Sequence, residues 1–205
     1  MRKTARFNPD FPHLYLMMNK PLGAVCAVAS DSHPTVFSFL DDDKKKQASL
    51  APRGVRLHTV GRLDSDTSGL LLLTTNGRFS HHITAPESAI NKTYLVTLKR
   101  PVDTPAQQED YIKKCAEGLL LPAEKKAPEQ SSAPASLEWL NDSLCRITVT
   151  EGKFHEVRRI FRALGNEVTA LHRLSIGSLQ LDENLAPGQW RKLSEEEIRV
   201  FDTDK

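Results

Sequence analysis

The sequence predicts an α+β fold, as one domain or as two small lobes sharing a core. Three observations carry this. Strand-like and helix-like segments alternate irregularly, unlike the regular βαβ order of a doubly wound sheet, so a mixed sheet flanked by helices is expected. The chain has 205 residues, enough for one substantial core. Hydrophobic residues make up 39% and charged residues 26%, the balance of an ordinary globular protein.

Taken in order, residues 1–12 are basic and hold Pro9 and Pro12, and they read as a loose tail before a single domain over 13–205. Leu14 to Met18 is a strand ended by the Pro21-Leu22-Gly23 turn, and Ala24 to Val28 returns as a second strand. Val36 to Leu40 forms a short helix. The block Asp41 to Lys46 reads as a solvated loop. Val55 to Val60 is a strand leading into Gly61, and Leu70 to Leu73 is a buried strand. Asn76-Gly77 marks a turn before a helix from Arg78 to Thr84. Lys92 to Leu98 alternates polar with β-branched and aromatic residues, the mark of a strand.

Thr104, Pro105 and Gln107 open a helix that runs to about Ala116, with Gly118 past its end. Residues 122–136 are rich in Pro, Ala, Ser, Glu and Lys and form an exposed loop or hairpin tip. Leu144 to Thr150 is a strand, and Glu151-Gly152-Lys153 turns into a helix that ends at Gly165. Val168 to Leu174 and Gly177 to Leu181 are strands, and a capping-box pattern at Ser194 to Glu197 opens a last helix to about Phe201.

Several function classes fall away. No apolar run approaches the ~18–20 residues needed to span a bilayer. The basic start is not followed by an apolar segment, so no secretory signal is expected. Cys26, Cys115 and Cys145 are dispersed singly, which predicts reduced thiols and a cytoplasmic protein. The seven histidines show no paired ligand spacing, so no metal site is expected. A net charge of +2 leaves any polyanion surface to local clustering.

Two stretches hold candidate chemistry. In Gly61 to Gly69, Arg62, Asp64 and Asp66 lie between two glycines at the mouth of a buried element, where side chains are held rigidly near solvent. Asp64 and Asp66 fit either a carboxylate pair of the glycosidase kind or a turn built on Asp and Ser. In His155 to Gly165, helical spacing sets Val157, Ile160, Phe161 and Leu164 on one face and His155, Arg158, Arg159 and Arg162 on the other. That cationic face is either a solvated surface or a contact for phosphates or a carboxylate. Tyr94, with polar neighbours, reads by spacing alone as a half-buried sheet tyrosine.

Four segments in order resemble the pseudouridine synthase family, closest to its RsuA-like branch. They are Asn19 to Gly23, Gly61 to Leu73, Lys92 to Tyr94, and Glu151 to Arg159; Leu171 to Arg173, Ile176-Gly177 and Leu185 to Gly188 complete the likeness. The resemblance implies a mostly antiparallel central sheet with helices around it, and two lobes with the active-site cleft between them. It implies isomerisation of a uridine in ribosomal RNA, most closely 16S small-subunit RNA, without a cofactor, by a monomer. Asp64 would be the catalytic aspartate, Tyr94 would pack on the base and assist proton loss at C5, and Arg158 would pair with Asp64. Arg62 would enter the RNA where the base is flipped out. Lys20, Lys92, His155, Arg159 and Arg162 would be the further RNA contacts. In this family Asp66 is not catalytic. The alternatives are a synthase acting on large-subunit RNA and a catalytically silent RNA-binding or ribosome-assembly factor on the same fold.

The likeness departs from the pattern twice. Only about 13 residues precede the first strand, too few for the small S4-type RNA-binding domain usual in this branch. Glu156 stands where Gln is commoner, and its extra negative charge is expected either to weaken RNA contact or to face Arg159 or Arg162.

Overall fold

The computed structural model describes residues 13–49 and 56–201. The basic tail over 1–12 and Val55 lie outside the described residues. The strands are β1 Tyr15–Lys20, β2 His58–Val60, β3 Thr67–Thr74, β4 Lys92–Leu98, β5 Leu120–Leu121, β6 Gln130–Ser131, β7 Ser136–Asn141, β8 Leu144–Val149, β9 Val168–Ile176, β10 Leu179–Gln180 and β11 Trp190–Lys192. The α-helices are α1 Asp42–Ser49, α2 Gly77–Thr84, α3 Pro105–Glu117, α4 Glu156–Ala163 and α5 Glu195–Arg199. Short 3-10 turns cover Val36–Phe39 and Pro86–Ser88. The α+β expectation holds.

The chain divides into two compact units, Met1–Ala85 with Leu181–Lys205, and Pro86–Gln180. In the first, β1 pairs antiparallel with both β3 and β11, and β2 pairs antiparallel with β3. Leu16, Met17 and Met18 of β1 and Leu70 to Leu73 of β3 are wholly buried. A strand covered on both faces needs no polar alternation, so Leu70 to Leu73 reads as a continuous apolar run. Asn76 accepts hydrogen bonds from the Arg78 and Phe79 amides and caps α2, and Phe79 packs edge-on between Tyr15 and Phe201.

In the second unit β4 lies between β9 and β8, and β7 follows β8, all antiparallel. The half-buried alternation expected for β4 is present: Tyr94, Val96 and Leu98 point inward. Thr104 caps α3 through the Gln107 amide, with Pro105 in the first turn. Gly118 ends that helix at φ 81°, and a Cβ there would come within 2.8 Å of the Ser132 carbonyl oxygen, so glycine is required on both counts. Most of the 122–136 segment is the tip of a hairpin over 120–131: β5 pairs with β6, and Glu124 and Ala127 exchange backbone hydrogen bonds of 2.8 and 3.1 Å.

Two expectations are corrected. The charge block from Asp41 is a helix. The Asp41 carboxylate accepts the Lys44 amide at 2.8 Å, Asp42 and Asp43 sit in the first turn, and Lys46 in the last. Acid at the start and base at the end complement the helix dipole. Ala24 to Val28 is not a strand; it makes one parallel bridge, Val25 with Thr35.

Candidate active site

The Gly61 to Gly69 stretch lies in the first unit. Gly61 turns the chain out of β2 at φ 70°. Leu63 is buried, Asp64 and Ser65 are half-buried, and Arg62 and Asp66 are exposed. A turn from Asp64 to Thr67, closed by the Thr67 amide on the Asp64 carbonyl at 3.1 Å, feeds the chain into β3. Asp66 sits at the tip of that turn, as its turn reading requires.

Three tethers hold this loop from the Lys20 to Cys26 side. The Gly23 amide donates to the Ser65 carbonyl at 2.7 Å. The Cys26 thiol lies 3.4 Å from the Leu63 amide and 3.5 Å from its carbonyl oxygen, so one sulfur meets both backbone groups of the residue before Asp64. The Lys20 ammonium, fully buried, donates to the carbonyls of Thr67 at 2.7 Å and Pro21 at 3.1 Å. Lys20, expected as an RNA contact, is a cation with no exposure, and these backbone oxygens make it a brace of the loop.

The second unit carries the other candidates. Lys92 and Tyr94, two residues apart on β4, share a face. Lys92 is half-buried and donates to the carbonyls of Ile90 at 2.9 Å and Thr150 at 3.5 Å. Burial holds its amine below the ordinary lysine range, helped by the charge of Arg173 and opposed by Glu156. Tyr94 is 9% exposed. Directly across the ladder stands Arg173 of β9, 3% exposed, with Nη1 3.5 Å from the Tyr94 hydroxyl and the guanidinium carbon 5.9 Å from the ring centre.

On α4 the expected cationic face is split. Arg158 is half-buried and donates to the Val168 carbonyl at 3.1 Å. Arg162 is exposed and pairs with Glu124 at 2.5 Å, and His155 Nδ1 meets the other oxygen of Glu124 at 2.8 Å. His155 and Arg162 therefore share one carboxylate from the hairpin tip. Burial raises the Glu124 carboxyl, but these two neighbours outweigh it and hold it low.

Arg159 is fully buried, and its guanidinium donates to the carbonyls of Pro122, Leu121, Pro128 and Phe154. It is thus a strut between α4 and the hairpin, which corrects its solvent-face placement. Helical periodicity failed here because α4 is covered on a second side by the 120–131 hairpin.

Glu156 is also corrected. It is buried beside Glu151, away from the Arg159 and Arg162 contacts just described. Burial, reinforced by the charge of Glu151, pushes its carboxyl up to about 7. Glu151 accepts the Ala133 amide at 2.8 Å and pairs with Lys153; those contacts outweigh its own burial and keep it low. His155, just before the helix, holds φ 49°, a conformation costing a non-glycine residue about 1–2 kcal/mol and often found at functional sites.

Sequence reasoning missed Cys26, Glu124 and Arg173 as site residues. Arg173 had a readable signal. Leu171, Arg173 and Ser175 alternate inward on β9, and an arginine at an inward strand position demands a polar neighbour. Among the described residues no cluster of His, Cys, Asp or Glu has the geometry to hold a metal ion.

The α+β scaffold thus presents a tethered Asp turn in one unit and an inward Tyr–Arg pair in the other. The RNA pseudouridylate synthase family matches residues 14–163, and the chain belongs to it. Ribosomal small subunit pseudouridine synthase A of Pasteurella multocida is 46% identical over 187 residues, 91% of this chain and 73% of that one. The Salmonella typhimurium protein of the same name is 47% identical over 186 residues, 90% of this chain and 72% of its own length. A crystal structure of a pseudouridylate synthase, 44% identical, superposes with a TM-score of 0.80 and covers 93% of this chain and 74% of that one. The chain is accordingly an enzyme that isomerises uridine in RNA to pseudouridine.

Proposed function

We propose that the substrate is a specific uridine of small-subunit ribosomal RNA and that Asp64 drives the reaction. The tethered turn carries this reading. Three contacts spanning some forty residues of sequence immobilise Asp64 while leaving it half-exposed, which is how a reacting carboxylate is presented. The names of the similar proteins support the small-subunit target.

In this reading Arg62, exposed beside Asp64, enters the RNA as the base leaves the stack. Asp64 drives cleavage of the N1–C1′ bond, and the freed uracil stays on Tyr94 until C5 joins C1′. Arg158 supplies the guanidinium that the reaction uses. His155 and Arg162, joined through Glu124, offer the remaining RNA contact. The enzyme works as a monomer in the cytoplasm, where its free thiols stay reduced. Among the described residues no helix is long and apolar enough to cross a membrane.

The test is a pseudouridine map of ribosomal RNA from cells lacking the chain. One small-subunit position is expected to lose its modification, to regain it with the wild-type chain, and to stay unmodified with Asp64→Asn, which still folds and binds RNA. A lost position in large-subunit RNA reassigns the target. Restoration by Asp64→Asn removes Asp64 from the chemistry.

A further inference from the structure

We propose that Arg173 is a positioning residue of this reaction, holding the Tyr94 hydroxyl through the step that moves the C5 proton. The proposal rests on the synthase reading above and deepens it.

The placement comes from the sheet. Tyr94 and Arg173 are direct ladder partners, and the β4–β9 register shifts between Thr93 and Tyr94. Such a bulge re-aims a side chain and is common beside active sites. It brings Arg173 Nη1 to 3.5 Å from Tyr94 Oη, with the guanidinium carbon 5.9 Å from the ring centre. Catalytic contacts of this length tighten in the Michaelis complex. Arg173 is 3% exposed, and burying a guanidinium is costly unless its charge is used. The inward neighbour Leu171 shows what a strand position that only packs would hold.

The chemistry follows from donor and acceptor count. Arginine has donors only, so Tyr94 Oη is the acceptor at this contact and its own O–H is turned away from Arg173. Once C5 has joined C1′, C5 still carries its hydrogen. That proton must leave, the C5–H electron pair must re-form the C5–C6 double bond, and N1, freed from C1′, must end protonated. One proton leaves C5 and one reaches N1, with no oxidation or reduction. Tyr94 Oη, packed on the base, is the relay: it gives its own proton to N1, carries negative charge as the phenolate, and is restored by the proton from C5. A fixed guanidinium in a water-poor site stabilises charge developing at such an oxygen and costs no reorganisation at that moment.

The experiment uses the full chain and a ribosomal RNA transcript that the wild-type chain modifies, made with ordinary or 5-deuterated uridine. Arg173→Gln is expected to lower kcat by ~10–100-fold, with KM within ~2-fold of wild type. It should expose a primary isotope effect at C5 that the wild type lacks. Tyr94→Phe should show the same isotope effect, and adding Arg173→Gln to it should slow the enzyme no further, because both changes act on one step. Arg173→Lys, which keeps the charge, should recover part of the rate, and it serves as the reporter if the Gln variant does not fold. A slowed Arg173 variant without an isotope effect, or losses that multiply in the double variant, overturns the proposal. A wild-type chain that forms no pseudouridine on any ribosomal transcript fails the parent reading first, and this one with it.

Discussion

Burial decides what each charged side chain in this protein does. Lys20 and Arg159 are cations with no exposure, and both donate to backbone carbonyls, so their charge serves the fold. Arg62 and Arg162 remain in solvent. Glu156 is the opposite case, a buried acid beside another acid, and it sets a pH dependence. Its carboxyl stands at about 7 in the folded chain against 4.5 ordinarily, so folding favours the neutral form. The stability this group contributes is complete below about 4.5 and is lost as pH rises to about 7. Glu156→Gln removes that loss. Urea unfolding should show the variant more stable than wild type by about 1–3 kcal/mol above pH ~7.5, with the gap closing toward pH ~4. A constant difference across that range would contradict the assignment. The substitution also removes the Glu156 charge that raises the Lys92 amine and the side-chain hydrogen bond that lowers the Glu151 carboxyl, so both groups move with it.

Capping and side-chain spacing account for most single elements, and packing on a second side accounts for the exceptions. The Thr104 cap, the Asn76 cap and the reciprocal capping box of Ser194 and Glu197 each satisfy helix amides that would otherwise be unpaired. Helix α4 is different. The hairpin of β5 and β6 lies over it, and Arg159 joins the two through the carbonyls of Pro122, Leu121, Pro128 and Phe154. Arg159→Met should lower unfolding free energy by about 3–5 kcal/mol, since it removes the charge-assisted hydrogen bonds that a buried guanidinium makes to four carbonyls. Equilibrium urea unfolding measures the loss, and a parallel salt titration of RNA affinity should keep its wild-type slope. A variant of normal stability with a shallower slope would return Arg159 to the RNA surface.

For the molecule as a whole, a net charge of +2 rules out a strong uniform field toward RNA. Affinity must come from a few placed cations and from the fit of the flipped base. The logarithm of RNA affinity should therefore fall linearly with the logarithm of salt, with a slope near about −2 to −3, as for roughly three to four phosphates on a single strand. Filter binding over a range of potassium chloride measures it, and a flat line would remove the phosphate contacts from the account.

The sequence by itself determined the α+β class, nearly every long strand and helix, and the Gly61 to Gly69 motif that marks the family. These are local matters: alternation in β4, the apolar run in β3, caps at Thr104 and Ser194, and a glycine-bracketed Asp turn are all written within a few residues. Only the tertiary structure decided which cations reach solvent, that Glu156 lies beside Glu151, that Cys26 meets the backbone of Leu63, and that Arg173 meets Tyr94. Each of those joins residues distant in the chain or depends on what covers a surface. Helical and strand periods say which way a side chain points from its own element. They cannot say what another part of the chain has placed there, and for a charge that neighbour decides between a strut and a site.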